Sequence, residues 1–357
     1  MKEGWTYKKL GEVCNIDFGT RVVRSRDAGS IYPVYGGGGA TFKMDAYNRE
    51  DCMVISRFGM SEQCTRYVKG KFFLNDSGLT LSMKKDCMIQ GFMDWQIVYL
   101  NNTIYSLGRG AAQKNLDTKA LAEVVIVYPN NLSEQLSIVS RLDAAFAHID
   151  SLKANAEKQL VEARQLFQAE LAECMRHKEG WEEKMLPDIS ENLDSIRIPV
   201  TKKNRTDGKY PYYGASGIVD YVDDYLFDED LLCISEDGAN LLMRTYPIAF
   251  PISGKVWVNN HAHVLRFKSM TTQKYIEYYF SGLKLDEYVT GAAQPKLTQK
   301  ALNSIIINIP KTIDIQRSIV SRLDALSANI KKLEEVQRKT LAECDTLKQA
   351  MLREVFE

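Results

Sequence analysis

Two stretches of this chain place basic side chains directly ahead of a turn rich in tyrosine and glycine. Arg21, Arg24 and Arg26 lie in GTRVVRSRDAGS, just before YPVYGGGG (Tyr32–Gly39). Lys202, Lys203 and Arg205 lie in TKKNRTDGKYPYYG, at the same place before YPYYGASG (Tyr210–Gly217). A loop of this kind can reach a nucleic acid, because the Arg fork matches a guanine edge and Lys neutralises phosphate. Solvation alone explains any one of these charges; basic character recurring in both places favours the pair. By position, the candidate readers are Arg21, Arg24, Arg26, Tyr35 and Arg57 in the first half. In the second half they are Lys202, Lys203, Arg205, Tyr213, Ser216, Arg244, Asn260, His261 and His263.

Other chemistries find no support in the spacing. Gly36–Gly39 is not a phosphate loop, since GGGGATFKMD supplies no GK[ST] and no third glycine of a dinucleotide fingerprint. It reads as a turn, or as a loop that lets backbone approach a ligand. His261 and His263 in VNNHAHVL fall on one face of a strand and could ligate a metal, but spacing places no Cys, Asp or Glu beside them. They read as a paired structural or ligand-contacting set. No G-x-S-x-G, H-E-x-x-H or kinase set occurs, so no catalytic apparatus is legible.

The elements that must position these loops come in two copies. GAAQKNLDTKAL (Gly110–Leu121) returns as GAAQPKLTQKAL (Gly291–Leu302), and IVSRLDA (Ile138–Ala144) returns unchanged as Ile319–Ala325. Both recurrences share one offset, which makes this an internal duplication rather than a solenoid. From each IVSRLDA onward, apolar residues step by three and four: Ile138, Leu142, Ala145, Ile149, Leu152, Ala156, Leu160, and Ile319, Leu323, Leu326, Ile330, Leu333, Leu341, with polar Gln337 in the series between the last two. That is a heptad seam on helices of about 40 residues, ~60 Å long. So narrow a stripe does not stabilise a lone helix, and each copy is the natural partner of the other. Ahead of each helix lies a mixed region whose runs CMVISRFG, KFFLN, LLCISEDG and KVWVN read as strands, with TTQKYIEYYFSGL as a helix. The resulting division is 1–132 and 178–312 as mixed domains, with 133–177 and 313–357 as helices. Each GAAQ is read as a structural turn closing its domain, with Lys114 and Lys296 near enough to touch phosphate.

Composition narrows the partners. The formal net charge is zero, yet residues 1–132 carry 17 basic against 13 acidic groups and 178–312 carry 16 against 18. A polyanion partner is therefore favoured only weakly, and mostly by the first half. Seven cysteines without a C-x-x-C pair, and no apolar run of membrane-spanning length, fit reduced thiols in a cytoplasm and no membrane partner.

In order along the chain, GWTYKKLGEV, YPYYGASGIVDYVDDYLFDED, ISEDGAN, GKVWVNNHAHVL, YVTGAAQPKLTQKALNSIIINIP and IQRSIVSRLD resemble the target-recognition domains of the specificity subunit of type I restriction-modification systems. The resemblance covers essentially the whole chain and is closer in the second half. It implies an α+β fold: two target-recognition domains alternating with two long helices that pair as an antiparallel coiled coil, a pseudo-twofold repeat. It further implies that each domain reads one half of a bipartite, asymmetric double-stranded DNA target. The helices would act as spacer and as scaffold for two methyltransferase subunits, with restriction subunits as further partners. This chain would be a non-enzymatic subunit carrying no cofactor; S-adenosylmethionine, Mg and ATP belong on the partners. Two other classes stay open at this point: a coiled-coil adaptor that binds proteins without reading DNA, and an enzyme with an unrecognised site.

Overall fold

The computed structural model describes residues 2–84, 86–291 and 294–357 and divides into two compact units, Met1–Glu157 with Arg338–Glu357, and Lys158–Gln337. The two long helices are Leu132–Met175 and Ile313–Phe356, so each unit holds the start of one and the end of the other.

In the first unit the strand Trp5–Lys9 pairs antiparallel with Val125–Pro129, tying the beginning of the domain to its end. A six-stranded sheet lies between, in the order Cys14–Phe18, Gly78–Met83, Arg49–Ser56, Thr65–Leu74, Tyr32–Tyr35, Lys43–Met44. A parallel pairing within it joins Val34 and Tyr35 to Phe73 and Leu74. In the second unit Trp181–Met185 pairs with Ile306–Pro310 in the same way. Two four-stranded sheets follow the same plan, and Tyr212–Tyr213 runs parallel to Trp257–Val258. The β-rich runs and the helix Met270–Gly282 expected from the sequence are all present.

The core of each unit is built across these pieces. Ile55, Leu79, Phe92, Ile97 and Leu142 pack in the first with Leu352 and Phe356 from the end of the second long helix. Ile234, Tyr275, Ile276 and Leu323 pack in the second with Leu171 and Cys174 from the end of the first. A fully buried Leu is worth about 1.5–3 kcal/mol, so these ends hold the helices in place.

Within each unit the helices run antiparallel. In the first, Arg141 pairs with Glu354 (3.8 Å), Asp150 with Lys348, and Lys153 with Asp345 (2.8 Å). In the second, Gln337 donates to Gln159 (2.7 Å), Arg164 bonds Glu334 (2.9 Å) and Arg322 pairs with Glu170. The seam departs from expectation at one place: Leu152 is 42% exposed. Phe146 and Lys153 take the inward positions instead of Ala145 and Leu152, because Phe146 packs its ring on Trp95 (4.3 Å) and sets the phase of the seam.

The repeated IVSRLDA now has a physical reason for its wording. Its Ile and Leu enter the core, and its Arg (Arg141 or Arg322) bridges to the other helix. Its Asp accepts a hydrogen bond from an aromatic side chain of the adjoining domain: Asp143 from Trp95 Nε1 (2.8 Å), Asp324 from the Tyr278 hydroxyl (2.5 Å). One turn earlier, buried Gln135 and Gln316 donate to the carbonyls of Pro129 (2.8 Å) and Pro310 (2.9 Å), fastening each helix start to the closing strand. No helix among the described residues is long and apolar enough to cross a membrane. All seven cysteines are free, and burial pushes the Cys14 thiol up to about 12 and those of Cys52, Cys64 and Cys174 to about 11.

Candidate nucleic-acid interface

In each unit, shared backbone hydrogen bonds gather several loops at one edge of the sheets. In the first unit, Asn75 N donates to Tyr35 O (2.8 Å), Arg57 N to Ser77 O (2.8 Å), Leu116 N to Arg57 O (2.8 Å) and Met60 N to Lys114 O (3.0 Å). The basic loop leaves from the same edge, since Gly19 N donates to Gly78 O (3.0 Å) and Thr20 N to Leu74 O (2.9 Å). In the second unit, Asn259 N donates to Tyr213 O (3.1 Å), Glu236 N to His261 O (2.9 Å), Leu297 N to Glu236 O (2.8 Å) and Gly238 N to Pro295 O (3.0 Å). The correspondence extends to side chains. Ser56 donates to Gly37 O (2.6 Å) and Ser235 to Ala215 O, pinning the YPxYG turn to the Ile-Ser strand end. Asn75 and Asn259 each form an Asx turn, accepting from Ser77 N (2.9 Å) and His261 N (2.8 Å).

The dodecamer belongs to this frame. Gly110 sits at φ 113°, where a Cβ would come within 2.3 Å of Gln113 O, and Gly291 sits at φ 88° with Gln294 O at 2.6 Å. The turn delivers Asn115 or Lys296 into a bridge with the neighbouring loop, opposite Phe58 or Asp237. Asp117 and Thr298 then cap the helices Thr118–Ala122 and Gln299–Asn303, whose Leu121 and Leu302 are fully buried. Of the second copy, Ala292 and Ala293 lie outside the described residues. Lys114 rests over the Tyr105 ring (3.9 Å), and Lys296 pairs with Glu236 (3.1 Å).

On this common frame the two edges carry different chemistry. In the first, the Arg57 guanidinium lies between the rings of Phe18 (4.7 Å) and Phe58 (4.5 Å), both partly exposed, with one bond to Asp76 O (3.4 Å). The rings hold the fork in place while leaving most of its donors unused. Arg21, Arg24 and Arg26 are exposed; Arg26 pairs with Asp27 (2.9 Å) on the short helix Arg24–Asp27. Tyr35 packs edge-on against Phe72 (5.5 Å). In the glycine run, a Cβ at Gly36 or Gly37 would meet Asn75 Oδ1 or Phe58 O at 2.5 Å, whereas Gly38 and Gly39 face open space. Arg66, which sequence reasoning missed, holds this turn by donating to Gly37 O (2.9 Å) and Gly38 O.

In the second, three expected readers turn inward. His263 is fully buried, its Nδ1 on Asp194 (2.6 Å) and its Nε2 on Leu297 O (2.8 Å), so no ring nitrogen is left for a base. Arg205 bonds Val200 O (3.0 Å) and Asp220 (2.8 Å) and stacks on Tyr212. Arg244, at φ 53°, caps backbone carbonyls of Phe280 (2.9 Å) and Leu283. The two histidines do not share a strand face: the strand begins at Ala262, and His261 sits in the Asx turn before it. There His261 is exposed, with Nδ1 on Asp237 (2.8 Å). The Asp237 carboxylate accepts from Nδ1–H, which fixes the ring at the loop tip and leaves Nε2 without a partner among the described residues. Asn260, Ser216, Lys202 and Lys203 are exposed, and Tyr213 stacks on Phe250 (6.0 Å).

Behind this edge, the fold supplies the acidic partners that spacing did not place near His263. Asp194, Glu236 and His263 are close enough for their ligand atoms to hold a cation in common. Arg197 already occupies both carboxylates, at 3.2 Å from Asp194 and 2.7 Å from Glu236. Burial pushes Asp194 upward, but His263, Val264 N and Arg197 outweigh it and hold the carboxyl below its ordinary range. Glu236 follows the same pattern, with burial opposed by Arg197, His263 and Lys296. The group is a charge-compensated strut under the loops.

A family model described as the type I restriction modification DNA specificity domain matches residues 2–163 and again residues 178–343. The chain belongs to this family. Over 145 residues it is 35% identical to a putative type I restriction enzyme specificity subunit of Haemophilus influenzae, covering 41% of this chain but only 37% of that protein. In fold it is similar to the HsdS subunit from Thermoanaerobacter tengcongensis (TM-score 0.58, 18% identity, 100% of this chain and 97% of that one). It is also similar to a chain solved in work on complex assembly and conformational transition of the type I R-M system (TM-score 0.75, 15% identity, 100% and 98% covered).

Proposed function

We propose that this chain is the sequence-reading, non-catalytic subunit of a type I restriction-modification complex, and that each unit reads one half of a bipartite, asymmetric double-stranded DNA target. The observation that carries this reading is one loop frame built twice with different side chains at its tips. Arg57, Phe58, Asp76 and Ser77 in the first unit stand where Glu236, Asp237, Asn260 and His261 stand in the second. Arg57 suits guanine O6 and N7; Asn260 suits adenine; the exposed His261 ring suits a polar base edge. Arg21, Arg24, Lys202 and Lys203 suit phosphates. The partners are two methyltransferase subunits and, for cleavage, restriction subunits; S-adenosylmethionine, Mg and ATP act there and not in this chain.

With a formal charge of zero, the chain alone binds DNA weakly, and the methyltransferase subunits contribute much of the phosphate neutralisation. Gel-shift titration tests this: weak binding by the chain alone and tight, salt-sensitive binding in complex are expected. Equal affinity in both states would refute it, and an adaptor without DNA readout would show no sequence preference in either.

A further inference from the structure

Within the first unit, a groove of about 550 Å³ opens between the sheet, the helix Gln90–Tyr99 and the first long helix. Its floor is apolar, with Met53, Trp95, Val98 and Phe146. Its titratable and charged groups are Tyr67, Lys69, Asp94, Asp143 and Asp150. Asp150 is answered by Lys348, and Asp143 accepts from Trp95 Nε1. Asp94 is answered by no cation among the described residues; its one partner is the neutral Gln90 amide (2.8 Å). Burial in this apolar setting pushes its carboxyl up to about 6. Burial, with the carboxylates of Asp51, Asp94 and Asp143 nearby, also raises the Tyr67 hydroxyl.

The second unit shows the same place with its carboxylate answered. There Tyr278 holds Asp324 as Trp95 holds Asp143, so Glu277 stands where Asp94 does. Glu277 has its own cation, Lys274, at 2.9 Å, and Lys274 occupies the position of Gly91. Where the second unit has that lysine the first has a glycine, which leaves an apolar floor with an unanswered carboxylate. A half-buried, unpaired charge destabilises the free chain, and such groups cluster at functional sites.

We propose that this groove receives a segment of the methyltransferase partner that carries a lysine or arginine beside an apolar side chain, the cation meeting Asp94 and the apolar group covering Met53 and Val98. Charge complementarity is what selects this occupant. The inference rests on the reading of the chain as a specificity subunit.

The test uses the full chain and the purified methyltransferase subunit encoded with it. Asp94→Asn is expected to make the free chain more resistant to urea at pH 8, yet to weaken the complex at least tenfold. Gly91→Lys, which installs the second unit's own cation, is expected to weaken it comparably. In the wild-type complex, amides of the groove helix become protected from hydrogen exchange. Unchanged affinity in both variants, with no added protection at the groove, overturns the proposal while leaving the specificity-subunit reading intact. Failure of the wild-type chain to bind the methyltransferase subunit at all overturns the proposal together with that reading.

Discussion

Replacing Gly110 by alanine separates a framework role for the repeated dodecamer from direct contact with DNA. At φ 113° an L side chain is strained, which costs about 1–3 kcal/mol. The new Cβ would also lie 2.3 Å from Gln113 O, well inside van der Waals separation, so the turn must open by roughly 1 Å. Opening it loosens the bonds from Leu116 N to Arg57 O (2.8 Å) and from Met60 N to Lys114 O (3.0 Å), each worth about 0.5–1.5 kcal/mol. These effects place the loss at about 3 kcal/mol, concentrated at one edge of the first unit. Urea unfolding followed by hydrogen exchange at the Met60 and Leu116 amides reads it directly. Gly38→Ala is the control: nothing lies within 4 Å of its Cβ, and stability should change by less than about 0.5 kcal/mol. Equal stability of the Gly110→Ala chain and the wild type, with both amides still protected, would refute the reasoning.

Arg57→Ala should relax base choice in one half of the target, leaving the other half untouched, with a loss of about 1–3 kcal/mol of discrimination in competition binding. Tyr278→Phe leaves Asp324 without its 2.5 Å donor and should lower stability by about 1–3 kcal/mol in denaturant titration. Asp194 and Glu236 titrate below their unfolded values, so the folded chain binds fewer protons than the unfolded one at acid pH. Their contribution is present near neutrality and is lost as pH falls below about 4, which stability curves at pH 3 and 7 would register and His263→Leu should reduce. Asp94 has the opposite sign. Its folded value near 6 lies above the unfolded one, so stability declines as pH rises from about 4 to about 6, by at most about 3 kcal/mol. Asp94→Asn should abolish that decline.

The duplication, the strand-rich domains and the two helices were legible because each rests on local pattern: an identical heptamer at one offset, β-branched runs between turns, and apolar steps of three and four. The phase of the first seam was not, since Phe146 and Lys153 take the places expected of Ala145 and Leu152, and it is the Trp95 ring that draws Phe146 inward. At the loops, residue type gave less. Arg57 and Arg205 read alike in sequence and both meet aromatic rings, yet only Arg205 is also held by a carboxylate, Asp220. His261 and His263 differ because a strand starts between them, a boundary that depends on Asn259 forming an Asx turn. Asp76 and Ser77 carry no signal in the sequence because LNDSG and VNNHA share little wording, although their backbones make the same bonds. Long-range pairing, which single-sequence pattern does not carry, decides the first and the last of these, and a local turn decides the second.

The most direct test of the central claim is methylome sequencing of a host carrying this chain with its methyltransferase subunit, for the wild type and for Arg57→Ala and His261→Ala. One bipartite, asymmetric adenine-methylated target is predicted for the wild type, with Arg57→Ala relaxing one half and His261→Ala only the other. A continuous or symmetric target, or both substitutions acting on the same half, would contradict it.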